Sequence, residues 1–219
     1  QWSRGLGDVY KRQGIKQGIE NTNYLLKSKK KKYILTIFEK RVLQKEIPFF
    51  MKLMDNLNNS KINCPKPLKT TNNKYLIKLK NKTACIVSFL EGKDKKILNI
   101  NDCYTVGKTI ARMHVVTNKM KLNRKNSMGI KNLKPLLESI KFKSKKFSNL
   151  KVFLNNNLKD INRYWPKQLP KGVIHGDLFI DNIFFKKNIL SGRMEFYFAA
   201  TAYCMYECAL CFSGRCCDL

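Results

Sequence analysis

The chain has 219 residues, 43% of them hydrophobic, enough to bury one large core or two smaller lobes. Its 44 Lys and Arg against 15 Asp and Glu give a formal charge of +29, yet the lysines run through nearly every polar segment (Lys29–Lys32, Lys78–Lys82, Lys93–Lys96, Lys141–Lys146), without the aromatic interleaving of a nucleic-acid module. Abundant Asn and Ile point instead to A/T-rich codon usage, and the lack of a transmembrane-length apolar run or a signal peptide fits a soluble cytoplasmic protein with no membrane partner.

Residues 1–13 show neither alternation nor helical periodicity and are set apart as a non-native scar. From Gly14 the pattern reads as strand, turn, strand, with Tyr24-Leu25-Leu26 and Tyr33-Ile34-Leu35-Thr36-Ile37-Phe38 as the strands. Leu43, Ile47, Phe50, Met51 and Met54 fall at helical spacing, with Pro48 in the first turn. Strands follow at Lys74–Ile77 and Thr83–Leu90, and Gly92 marks a hinge. Val106, Ile110 and Met113 define one helix; Leu150, Phe153, Leu154, Leu158, Ile161 and Trp165 define another that Pro166 ends, with Tyr164 and Trp165 assigned to the core. This divides the chain into a smaller lobe, 14–91, and a larger one, 92–219. Cys204, Cys208, Cys211, Cys216 and Cys217 lack zinc-site spacing and read as reduced thiols on a buried helix.

The chemistry concentrates in Val173-Ile174-His175-Gly176-Asp177-Leu178-Phe179-Ile180-Asp181-Asn182. An Asp and an Asn five residues apart, just after a short apolar strand, have the layout of a phosphoryl-transfer loop. In such a loop the Asp accepts a hydroxyl proton and the Asn gives an oxygen to magnesium. Ile183-Phe184-Phe185, a turn through Lys186-Lys187-Asn188, and Met194–Phe198 then predict a β-hairpin whose second strand carries a metal carboxylate, Glu195. His175 reads as a loop-shaping backbone partner, and His114 as a capping or core histidine at the end of its helix.

With Gly18–Leu26, Tyr33–Arg41, Leu90-Glu91-Gly92, Gly172–Phe179 and Glu195–Ala199 in place, the chain resembles homoserine kinases of the aminoglycoside phosphotransferase, choline kinase-like fold. The resemblance implies an α+β, two-lobed protein-kinase-like architecture, with a small β-rich first lobe and a mainly helical second lobe built around the catalytic hairpin. It implies ATP and Mg2+ as cofactors and L-homoserine as the small-molecule partner, without a specific nucleic acid. Asp177 would be the base, and Asn182 and Glu195 the metal ligands. Gly18, Asn21, Thr22 and Asn23 would cover the phosphates. Lys40, with Glu46 as partner, is the candidate phosphate cation; related kinases align their cation with Thr36, which leaves Lys40 as either a ligand or an exposed strand-end charge. The chain departs from the family with Glu at 195 and 207 where Asp is expected, with Ala200-Thr201-Ala202 in place of an acidic turn, and with Arg215 in place of an aromatic. It reads as truncated at both ends. Another acceptor (choline, a methylthio-sugar or an aminoglycoside) and an inactive nucleotide- or polyanion-binding fragment are the competing readings.

Overall fold

The computed structural model describes residues 11–15, 21–39, 42–140, 148–193 and 195–213. Five antiparallel strands form the first sheet: β1 (Lys11–Ile15), β2 (Asn21–Lys27), β3 (Lys32–Phe38), β4 (Leu76–Leu79) and β5 (Lys82–Ser88), in the order β1-β2-β3-β5-β4. β5 lies between β3 and β4 and is buried through Thr83–Val87, so it reads as a nearly continuous apolar run. Helix α1 (Ile47–Asn59) carries Pro48 in its first turn and lays Ile47, Phe50, Met51, Leu53, Met54 and Leu57 against the sheet. Each such side chain contributes about 1.5–3 kcal/mol on burial. The apolar stripe continues into the second lobe, where Met113, Val173, Phe196 and Ala199 join the same core.

In the second lobe, α2 (Ile100–Asn118) starts at a reciprocal cap in which Asn99 Oδ1 accepts from Asp102 N at 2.8 Å and Asp102 Oδ2 accepts from Asn99 N at 3.1 Å. It packs on β6 (Lys171–Ile174), which pairs antiparallel with β9 (Ala200–Tyr203). The hairpin β7 (Ile183–Lys186) and β8 (Ile189–Arg193) lies between them in sequence, and α5 (Cys204–Cys211) follows β9. Helices α3 (Ile130–Ser139) and α4 (Ser148–Tyr164) pack on each other. The lobes meet at Gly92, whose φ of +131° lets Lys93 exchange two backbone hydrogen bonds with Phe185, at 3.0 and 2.8 Å. A Cβ at Gly92 would come within 2.8 Å of Phe185 O.

Several expectations change. β1 begins at Lys11, inside the segment set apart as foreign, and pairs with β2 from Lys11↔Lys27 to Ile15↔Asn23; backbone pairing on an edge strand requires no apolar alternation. The second hairpin strand ends at Arg193, so Glu195 lies beyond it, and Phe196–Phe198 form a 3-10 turn rather than strand. Ala200-Thr201-Ala202 form strand β9. α3 was not expected, because Pro135 interrupts its sequence pattern. Tyr164 is 74% exposed, not core, whereas Trp165 is half-buried against Tyr203 and Tyr206.

Candidate active site

Between the lobes lies a cleft of about 580 Å³. Ile15, Ile34, Val87 and Leu90 give it an apolar wall from the first lobe; Asp177, Asn182 and Glu195 face it from the second. Asp177 follows β6, and a 3-10 turn, Ile180–Asn182, brings the Asn back toward it. Asn182 Nδ2 donates to Asp177 Oδ2 at 3.0 Å and to Asp177 O at 2.8 Å, so the amide oxygen is left to face outward and the carboxylate is held in one orientation.

The loop is shaped from behind. The buried His175 accepts Asp177 N at Nδ1 (3.3 Å), which fixes its proton on Nε2, and its ring packs on Phe196 at 4.5 Å. Glu207, fully buried on α5, accepts His175 N at 2.5 Å and Gly176 N at 3.2 Å through Oε1, while Oε2 lies 2.6 Å from His114 Nε2. Gly176 has φ +78°, and a Cβ there would meet Phe198 O at 2.8 Å. The loop and the turn after Glu195 thus touch backbone to backbone, an approach only glycine permits.

Glu195 adopts the left-handed conformation, φ 56° and ψ 63°. For a non-glycine residue this stores about 1–3 kcal/mol and persists where the surroundings enforce it. The enforcement is visible in Tyr197, whose ring meets Phe38 and Phe50 edge-on at 5.2 and 5.6 Å and whose hydroxyl bonds Thr36 and Cys85. Burial raises Tyr197 well above the ordinary tyrosine range and pushes the Cys85 thiol up to about 12, so both are neutral spacers. Among the described residues no three His, Cys, Asp or Glu side chains converge to hold a resident metal. The hard oxygen donors of Asn182 and Glu195 suit a cation that arrives with phosphate ligands of its own.

Residues 11–216 match the model of the phosphotransferase enzyme family. The chain belongs to that family. It is 35% identical over 215 residues to a homoserine kinase of Beijerinckia indica, covering 98% of this chain and 67% of that protein. Identity to the homoserine kinase of Rhizobium meliloti is 37% over 212 residues, covering 96% and 65%. The chain therefore spans about two thirds of the length of these relatives. An amicoumacin kinase solved with AMP-PNP, Ca2+ and Ami shares the fold with a TM-score of 0.76 at 16% identity, over 98% of this chain and 65% of that one. A microcompartment-associated aminopropanol kinase does so with a TM-score of 0.71 at 12% identity, over 95% and 72%. These likenesses place the chain in the two-lobed, α+β, protein-kinase-like fold.

Within this phosphotransferase frame the sequence-expected residues separate. Asp177, Asn182, Glu195 and Asn23 line one cleft. Asn23 Oδ1 accepts from Thr36 Oγ1 at 2.8 Å. Thr22 points away, because alternation along β2 places it on the opposite face from Asn23, and its hydroxyl donates to Glu39 at 2.9 Å. Asn21 Oδ1 accepts Glu39 N at 3.4 Å. Gly18 and Lys40 lie outside the described residues. Glu46, the expected partner of Lys40, is bound by Arg124. His114 is an interior partner of Glu207 and not a helix cap. Sequence reasoning missed Arg124 and Tyr197; Tyr197 was legible only as one aromatic in Phe196-Tyr197-Phe198, and Arg124 lies in a polar stretch with no motif.

Proposed function

We propose that this phosphotransferase moves the γ-phosphoryl group of ATP to the side-chain hydroxyl of L-homoserine. The observation that carries the reading is the Asp177–Asn182 pair, hydrogen-bonded in the loop after β6 and lining one cleft with Glu195, in a chain 35–37% identical to homoserine kinases. In this reading Asp177, its free rotation removed by Asn182, accepts the hydroxyl proton as the oxygen attacks in line. Asn182 Oδ1 and Glu195 would hold Mg2+, which would neutralise charge on the phosphates when bound. Asn23, fixed by Thr36, faces the phosphates from the first lobe, and the apolar wall of Ile15, Ile34, Val87 and Leu90 takes the purine. Glu195 is one methylene longer than Asp and lines the same cleft as Asn182 from a left-handed backbone.

The described cysteines all carry free thiols, which supports a reducing, cytoplasmic setting; no described helix is long and apolar enough to cross a membrane. The test is magnesium-dependent ATP turnover with L-homoserine beside choline, a methylthio-sugar and an aminoglycoside. Turnover with homoserine that Asp177→Ala removes is the expected result. Turnover with another acceptor and not homoserine overturns the acceptor; turnover that survives Asp177→Ala overturns the base.

A further inference from the structure

Arg124, in the segment after α2, is more heavily engaged than any role so far given to it requires. Its Nε and Nη2 donate to Glu46 Oε2 at 3.0 and 2.8 Å, and its Nη1 donates to Ala199 O at 3.0 Å. Its guanidinium lies 5.0 Å from the centre of the Phe50 ring. Its backbone is fixed as well, since Thr201 N donates to Arg124 O at 2.8 Å and Arg124 N donates to Thr201 Oγ1 at 3.2 Å. The side chain is largely buried, 11% exposed.

These contacts join three elements. Glu46 is the residue just before α1, Phe50 faces the core from the next turn of α1, and Ala199 closes the turn that begins at Glu195, where Ala199 N donates to Phe196 O at 3.0 Å. Phe50 in turn meets Tyr197 edge-on, and Tyr197 lies in the middle of the same turn. A single guanidinium thus grips one end of the Glu195 turn directly and its middle through Phe50, while anchoring the helix of the first lobe to the second. The strained backbone of Glu195 has no freedom to relax as long as that grip holds.

We infer that Arg124 is a positioning residue that sets the Glu195 carboxylate for the metal–nucleotide complex, with Glu46 as its counter-charge. A planar fork with three directed donors is needed; an ammonium supplies the charge without the geometry. The inference rests on the phosphotransferase reading of the cleft but not on homoserine, so its test uses no acceptor. Mn2+ binding at fixed ATP is followed by electron paramagnetic resonance in the wild type and in Arg124→Met, Arg124→Lys and Glu46→Gln, with circular dichroism and thermal melting alongside. Half-saturating Mn2+ rises about tenfold in Arg124→Met, the usual size of an effect on a group that orients a metal ligand. It rises nearly as far in Arg124→Lys and less in Glu46→Gln, which keeps the bond to Ala199. ATP affinity at saturating Mn2+ changes less than about twofold. If Arg124→Met does not fold, the other two variants carry the same comparison. A lowered melting temperature with an unmoved Mn2+ midpoint in the folded variants makes Arg124 a structural clamp and refutes the inference. Failure of the wild type to bind the metal–nucleotide complex refutes the reading of the cleft and this inference with it.

Discussion

Glu207 offers the sharpest test of how the Asp177 loop is held. Its carboxylate, fully buried, accepts two backbone N–H groups and faces His114 Nε2. Glu207→Ala leaves those two N–H donors without an acceptor, at about 1–3 kcal/mol each, and adds a cavity, so the expected loss is about 3–5 kcal/mol of stability. Glu207→Gln keeps the shape: the amide oxygen still accepts both N–H groups, and the amide NH2 donates to His114 once the imidazole moves its proton to Nδ1. What disappears is charge assistance, roughly half the strength of each bond, or about 2 kcal/mol in all. Urea unfolding at constant slope measures both, and turnover in the folded variants measures the loop. A displacement of Gly176 carries Asp177 with it, so turnover in Glu207→Ala, which loses both acceptors, is expected to fall by roughly 10²-fold, and turnover in Glu207→Gln, which keeps them, by less. The double-mutant cycle with His114→Ala isolates the pair, with an expected coupling of about 1–3 kcal/mol. The reasoning fails if Glu207→Ala lies within 1 kcal/mol of the wild type, or if the Gln and Ala variants lose the same amount.

Other outcomes follow from the same geometry. Gly176→Ala combines a left-handed backbone with a Cβ 2.8 Å from Phe198 O, so about 2–4 kcal/mol of destabilisation is expected by denaturant titration; a neutral result shows that the loop can move away from the turn. Cys85, raised by burial to about 12 from an ordinary 9, is protonated in the folded state at pH values where the unfolded thiol has ionised. Its contribution to stability is therefore complete below pH 9 and is lost at about 1.4 kcal/mol per pH unit between 9 and 12. Comparing the alkaline unfolding profile of the wild type with that of Cys85→Ala checks the sign, and identical slopes would disprove it. Thiol labelling at pH 8 should modify Cys85 only on unfolding.

The loop was legible because its chemistry fixes residue types at short spacing. His175, Gly176, Asp177 and Asn182 lie within eight positions, and each does locally what its type suggests: a ring nitrogen takes a backbone N–H, a glycine takes a positive φ, an amide steadies a carboxylate. The α1 stripe was legible for the same reason, since Ile47, Phe50, Met51 and Met54 repeat at helical spacing. Contacts between distant positions were not. Arg124 and Glu46 are separated by 78 residues, and Glu207 lies 32 beyond His175. Nothing local marks a Glu on α5 as the acceptor for a loop, or an Arg in a polar stretch as the partner of a helix start. Thr22 lies one step of alternation from Asn23 and so on the other face of β2, and Glu195 was placed on a strand because four apolar and aromatic neighbours outweigh, in a sequence pattern, the turn that Tyr197 packing imposes.

The distribution of charge bears on how nucleotide enters. The chain carries +29 overall, yet the described residues that line the cleft include Asp94, Asp177, Asp181 and Glu195 and neither Lys nor Arg. Scattered lysines give a net positive potential that draws an anion toward the protein without binding it at any one point. Inside the cleft a phosphate oxygen about 4 Å from a carboxylate meets roughly 4 kcal/mol of repulsion per charge pair at an effective dielectric of about 20. Thr36 is buried and donates to Asn23, so it adds no opposing charge. Removing divalent metal with a chelator is therefore expected to weaken ATP binding at least about a hundredfold, measured with a fluorescent nucleotide. Neutralising Glu195 with Glu195→Gln should narrow that gap by relieving the repulsion while also lowering metal affinity. Chelator-insensitive binding would mean that a cation outside the described lining, with Lys40 the first to replace, takes the phosphates directly.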